Sequence, residues 1–316
     1  MVDGTVLRGP ALEPGDRVRL VSPSSPPDPS SLADAIEVLT AWGLRPEVGE
    51  HALDSWGFMA GADEDRLADL NDAFLDPGVR AVVATRGGAG AYRIADRIDF
   101  DAVRADPKPL VGFSDTTNLH LALWRQAGLA TVHGCLVGST TQRSVRHLLM
   151  STEPLTIRQN PSALSAAVHI AGRASGPLVG GNLRELAGAV GAGLPDLAGA
   201  IVLLEDRRHV GVGQVDRNLT QLIRSGTLDD VAGVVVGSFE GFRGYADAGC
   251  SVTEVLFERL GQMGVPILGG VDLGHDVVGA EGMPDQVAVT LGASADLDSH
   301  VGTLKVGPCV GPRSRR

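Results

Sequence analysis

The chain has 316 residues, 43% hydrophobic and 21% charged, and its 27 basic and 38 acidic residues give a formal charge of -11. This length is about twice that of an ordinary domain, so two domains are expected, each burying its own core. The acidic balance, with basic residues concentrated only at Arg313, Arg315 and Arg316, argues against nucleic acid as a partner. Three widely spaced cysteines, Cys135, Cys250 and Cys309, suit a reducing compartment better than a disulfide framework. No cysteine pairs or HxxxH spacing point to a metal. The opening MVDGTVLRGPALEPGDRV is acidic and lacks an apolar segment, and no membrane-length apolar run follows. These features lead to the expectation of a cytoplasmic protein with no membrane partner.

Residues 17–134 alternate short apolar runs with helical periodicity. The run RVRLVS precedes a helix whose Leu32, Ala35, Ile36 and Leu39 share a face, with Ser30 or Ser31 as a cap and Gly43 as its end. LRPEV comes next, then a helix with Leu67, Leu70 and Phe74 on one face, stopped by the DPG at 76–78. VRAVVAT, a weaker helical stretch, PLVGF, the helix TTNLHLALWRQAG and LATVH complete the series. Such alternation predicts a doubly wound parallel sheet, assigned to a first domain at 1–150. The polar stretches STTQRSVRH and RQNPSALS carry few core signals, and 151–175 is expected to be a linker. A mixed α/β domain at 176–316 is predicted from the strands GAIVLLE, AGVVVGSF, VPILGGV and VAVTL, with helices near 182–190, 216–224 and 252–263.

Several residues in this pattern are suited to chemistry. Ser114, in GFSDTT, lies between a strand and a helix, where open α/β sheets bind ligands. It also reads as one of four possible helix caps, which alone explain such residues in most proteins, and the second glycine of G-x-S-x-G is missing. TRGGAGAYR also ends a strand, and Gly87, Gly88 and Gly90 would let backbone N–H groups approach an anion or oxyanion. Gly-rich as it is, the loop lacks both dinucleotide spacing and a P-loop lysine; it reads equally as a tight turn. Arg86 beside it would suit a carboxylate, or would pair with Asp96 or Asp115. Of eight histidines, His133, His209 and His275 follow apolar strands and are the better base candidates. His51, His147, His169 and His300 read as surface residues, and His120 as packing or solvent-facing. Glu205, ending GAIVLLE, needs a partner: Arg207, Arg217 or an imidazole.

Nine motifs stand in an order that resembles the serine LD-carboxypeptidases. They are SPSS at 22–25, AGADEDRLADL at 60–70, TRGG at 85–88, KPLVGFSDTTNLH at 108–120, TVHG at 131–134, GGNL at 180–183, LLED at 203–206, VDRNLTQL at 215–222 and GH at 274–275. The resemblance implies an N-terminal flavodoxin-like domain carrying Ser114 as nucleophile. It also implies a C-terminal domain carrying Glu205 and His275, with the active site in the interdomain cleft. His275 would be the general base and Glu205 its orienting partner, while backbone N–H groups of Asp115, Gly87 and Gly88 would form the oxyanion hole. Arg86 and Asn182 are the substrate-binding candidates. Members of this family need no metal or cofactor and are usually homodimers. The substrate implied is a small peptide with a C-terminal D-amino acid, such as a murein tetrapeptide losing D-alanine. The alternatives are an immunity-type amidase cleaving aminoacyl-nucleotide conjugates such as processed microcin C, and a catalytically silent protein binding a peptide or nucleotide.

Overall fold

The structure, a computed structural model, describes residues 6–279 and 282–313, so Arg315 and Arg316 of the basic terminus lie outside the described residues. Two compact units emerge: one holds the chain through Glu153, Ala288–Gly292 and the segment from Pro308, and the other holds Pro154–Val287 and Ala293–Gly307.

The first unit runs β1 (Arg17–Val21), α1 (Pro29–Ala41), β2 (Arg45–Val48), α2 (Asp63–Leu75), β3 (Val79–Ala84) and α3 (Phe100–Ala105). It continues with β4 (Leu110–Gly112), α4 (Thr117–Ala127), β5 (Thr131–His133) and α5 (Ser139–Met150). The second unit runs β6 (Leu155–Arg158), β7 (His169–Ile170), β8 (Arg173–Asn182), α6 (Leu183–Ala189), β9 (Ile201–Glu205) and α7 (Val212–Arg224). There follow β10 (Gly233–Val236), β11 (Ala246–Asp247), β12 (Cys250–Ser251), α8 (Val252–Gly261) and β13 (Ile267–Gly269). Three strands end the chain: β14 (Val289–Leu291), β15 (Ser294–Asp298) and β16 (Thr303–Val306).

The first sheet has six strands in the order β14-β5-β4-β3-β1-β2. Strands β1 to β5 pair in parallel. Their order is that of a flavodoxin-like sheet, whose ligand crevice lies where the order reverses, here between β1 and β3. Val21, Val82 and Leu110 from the sheet pack with Leu70 and Phe74 of α2, realising that helix's predicted face, and with Leu119 and Leu123 of α4. Helix α1 is capped two or three residues before the expected serine caps: Asp28 is its N-cap and Pro29 its first residue, and Gly43 follows its end with φ 82°.

The second sheet has eight strands in the order β6-β16-β15-β8-β9-β10-β13-β7. Its centre, β8-β9-β10-β13, is parallel, and antiparallel strands flank it. Helices α6, α7 and α8 pack in succession within this unit.

Three features differ from the expected boundaries, each for a physical reason. STTQRSVRH belongs to α5, whose buried face includes Thr141 and Ser144 beside Val145, Leu148 and Leu149, so apolar periodicity understates it. The supposed linker at 151–175 contains β6, β7 and the start of β8; β6 and β7 are the edge strands of the second sheet, and such short strands carry little apolar signal. VAVTL supplies β14, which pairs antiparallel with β5 of the first sheet; a strand's pattern does not reveal which edge it will cover. Among the described residues, no helix is long and apolar enough to cross a membrane.

Candidate active site

In the first unit, β4 ends at Gly112 and Ser114 opens a single 3-10 turn that leads into α4. Its φ of 65° lies in the left-handed region, uncommon for a residue with a Cβ and costing about 1–3 kcal/mol. Helix α4 takes Thr116 as N-cap without a side-chain capping bond. Capping therefore gives no account of the serine's left-handed backbone.

The glycine loop after β3 packs on this turn. A Cβ on Gly87 would stand 2.7 Å from the Ser114 Cβ and 3.2 Å from its Oγ, so the loop can come this close only with glycine there. Gly88 has φ 113°, and a Cβ on it would fall 2.2 Å from the Ser25 Oγ. That hydroxyl accepts the Ala89 N–H at 3.2 Å and donates to the Phe58 carbonyl at 2.6 Å. Ser22 and Thr85 join hydroxyls at 2.6 Å, tying the loop after β1 to the loop after β3 at the switch point. The buried Arg66 of α2 donates to the Pro23 carbonyl and pairs with Asp63. SPSS, AGADEDRLADL and TRGG are thus parts of one scaffold beside Ser114.

Asp115 is buried, and its Oδ2 accepts the Ala91 N–H at 2.8 Å, anchoring the far end of the glycine loop. Its own main-chain N–H sits at the head of the turn, where helix-end dipoles favour negative charge. Arg86 donates to the Pro26 carbonyl at 3.2 Å; among the described residues it makes neither the Asp96 nor the Asp115 pair. His120 is buried, with Nε2 2.9 Å from the Gly112 carbonyl, and burial pushes its pKa down to about 3. It braces β4 as a neutral ring. His133 is a fully buried residue of β5.

In the second unit, the parallel register of β8 and β9 sets Asn182 beside Glu205. Glu205 has no exposed surface, and its Oε2 accepts both the main-chain N–H of His275, at 3.0 Å, and Nδ1, at 2.7 Å. Gly274 makes this approach possible: it has φ 100°, and a Cβ there would lie 2.3 Å from Oε2. The Gly274 N–H donates to Gln286 Oε1 at 2.7 Å, pinning the loop from behind. Burial lowers the His275 pKa, but the Glu205 carboxylate, helped by Asp206 and Asp276, outweighs it and leaves the value raised. With Nδ1–H committed to Glu205, the neutral imidazole carries its acceptor lone pair on Nε2.

Of the partners considered for Glu205, the structure selects the imidazole over Arg207 and Arg217. Asn182 caps α6, accepting from Arg184 and Glu185, and donates to Glu205 at 3.3 Å and Asp206 at 3.1 Å. His209 lies on a cavity of about 250 Å³ with Arg184, Asp206, Arg207, Gln214 and Phe242. Burial, with Arg184 and Arg207 nearby, lowers its pKa. Sequence reasoning missed Ser25, the Asp115 carboxylate and Asp206 as site-building groups. Each sits inside a quoted motif, but hydrogen-bond partners remote in sequence leave no local signal. On the first unit, His51, Asp54 and Asp65 bring one ligand atom each within 4.8 Å of one another. A direct His51 Nδ1 to Asp54 bond of 2.9 Å already joins two of them.

A left-handed serine closing a parallel strand and an imidazole held through Nδ1 by a buried carboxylate are the parts of a serine hydrolase. Residues 18–134 match the LD-carboxypeptidase N-terminal domain and residues 175–297 the LD-carboxypeptidase C-terminal domain, and the chain belongs to this family. A protein of Streptomyces coelicolor bearing a carboxypeptidase name is 39% identical over 95% of this chain and 96% of its own length. A probable murein peptide carboxypeptidase of Bacillus subtilis is 35% identical over 92% of this chain and 91% of its own. In fold, the chain resembles a muramoyltetrapeptide carboxypeptidase from Oxalobacter formigenes with a TM-score of 0.78 at 24% identity, covering 93% of this chain and all (100%) of that one. It also resembles an MccF-like protein from Bacillus anthracis with a TM-score of 0.83 at 24% identity, covering 96% and 100%.

Proposed function

We propose that the protein is a serine carboxypeptidase that hydrolyses the amide between an L-configured centre and a C-terminal D-amino acid, converting murein tetrapeptide to tripeptide during peptidoglycan recycling. The observation that carries the reading is the Glu205–His275 pair, which fixes the imidazole tautomer a serine nucleophile needs. Kinship with the murein peptide carboxypeptidase of Bacillus subtilis supports the substrate class. In this reading Ser114 Oγ attacks the amide carbonyl carbon while His275 Nε2 takes the hydroxyl proton. The oxyanion receives the Asp115 N–H and an N–H of the Gly87–Gly88 turn. Collapse breaks the C–N bond, and His275 returns the proton to the departing D-alanine amine. Water, deprotonated by His275, then attacks the Ser114 ester and releases the tripeptide acid. Arg86 is the proposed carboxylate anchor. Asn182 acts on the substrate through the two carboxylates it holds. The reading includes a cytoplasmic location, a homodimer and no metal or cofactor.

Incubation with a tetrapeptide ending in L-Lys-D-Ala or diaminopimelyl-D-Ala tests it, with free D-alanine as the readout. Release that survives EDTA is expected. Cleavage of an aminoacyl-sulfamoyl adenosine with the tetrapeptide untouched would move the assignment to the immunity-type amidase, and no cleavage by the folded protein would leave only a binding role.

Gly87→Ala is expected to reduce kcat/KM for D-alanine release by about 100-fold, because the added methyl must push the loop or Ser114 aside and misplacements near 1 Å carry such costs. Circular dichroism should be unchanged. Kinetics within twofold or so of the parent would show that the close approach is immaterial.

A further inference from the structure

Asp206 adjoins Glu205, is 5% exposed, and forms part of the wall of the cavity that also includes Arg184, Arg207 and His209. Its Oδ1 accepts the Arg207 N–H at 2.8 Å and the Asn182 Nδ2 at 3.1 Å. The same Asn182 nitrogen reaches Glu205 Oε1 at 3.3 Å, while Oε2 of that glutamate holds His275. Two buried carboxylates therefore share one amide, and one of them carries the imidazole. The amide cannot turn away, since its oxygen caps α6 and its backbone is fixed by the β8–β9 register.

We propose that Asp206 is a positioning residue for His275: by sharing the Asn182 amide it fixes the Glu205 carboxylate that orients the ring, and its own charge governs how tightly the ring holds a proton. This rests on the reading of His275 as the base. Burial, then the charge of Glu205, push the Asp206 carboxyl up to about 7, so it changes charge near neutrality, beside an imidazole whose own pKa is raised. Ionised Asp206 adds a negative neighbour and favours the imidazolium; neutral Asp206 releases it. The other charged groups around the pair are Glu205 on β9, Arg184 on α6, Arg207 and His209 after β9, and Asp276 after β13. The lowered pKa of His209 keeps it largely neutral in that range. Asp206 is thus the carboxyl beside the ring whose charge changes near neutrality.

The test is NMR titration of the His275 imidazole in the full-length protein, wild type and Asp206→Asn, with the pH profile of kcat/KM beside it. In the wild type, two groups interacting by about one pK unit or more give a two-step curve. Asp206→Asn should give a single step at a midpoint lower by about half a unit to one unit, with the acid limb of kcat/KM moving the same way. Asp206→Glu should restore the two-step form. A single-step wild-type curve overturns the proposal without any variant having to fold, and so does an Asp206→Asn midpoint that coincides with the wild type. A role confined to packing would alter stability and leave these midpoints in place. Failure to release D-alanine alongside a two-step titration would sink the functional reading and leave the coupling standing.

Discussion

Ser114→Ala is expected to lower kcat for D-alanine release by about 10⁴-fold or more, with the fold intact, as removal of the nucleophile does in other serine hydrolases. The substitution removes only the Oγ. Ser114 supplies no cap to α4, and alanine bears the same left-handed φ with a Cβ in the same place. Ser114 Cβ is also the atom a Cβ on Gly87 would meet, at 2.7 Å, and alanine keeps it, so the loop still has the surface on which it rests. Substrate binding should persist, giving a KM or Kd within about threefold of the parent. Steady-state kinetics, with mass spectrometry that finds an acyl-enzyme in the parent and none in the variant, make the measurement. Undiminished turnover would remove Ser114 from the chemistry, and with it the proposed mechanism.

Glu205→Gln should cost about 10³–10⁴-fold in kcat, and stability as well. The loss of charge leaves the imidazolium of the transition state without its counter-ion. The geometry also permits no good amide orientation. Oε2 accepts two N–H groups from His275 and Oε1 accepts the Asn182 amide, so a glutamine must present its NH₂ to a donor on one side. A buried donor set against a donor costs about 1–3 kcal/mol. The pH dependence has a definite sign. The His275 pKa is raised in the folded state, so the stability it gains from its carboxylate is fully present below the unfolded value near 6.5 and fades as pH rises through the folded one. The variant's deficit in urea melts should therefore be larger at acidic than at alkaline pH. A deficit that grew with pH would contradict the ion pair.

The sequence revealed much of this because its strongest signals are local. Helices α2 and α4 show their apolar stripes, β3 and β9 are short apolar runs, and the glycine turn and GFSD stand at strand ends. The catalytic candidates were legible through nine ordered motifs, whose resemblance names Ser114, Glu205 and His275 and implies that Glu205 orients His275, without giving the atoms that hold them. What remained hidden was set by partners far along the chain. Helix α7 begins at Val212, before the expected 216, because the Asp247 carboxylate accepts the Val212 N–H at 2.6 Å, 35 residues away. Arg66, within the acidic stretch AGADEDRLADL, is buried in the fold and supports the loop after β1.

By itself, then, the sequence determined that β1 to β5 alternate with helices, that a serine ends one strand, and that an acid ends another, because residue spacing encodes backbone periodicity and turn chemistry directly. Only the tertiary structure decided that β14 completes the first sheet, that Glu205 takes His275 rather than an arginine, and that Asn182 serves two carboxylates at once. Those outcomes depend on register, on edge availability and on which donors come within hydrogen-bond reach of a buried oxygen, none of which is encoded by residues adjacent in the chain.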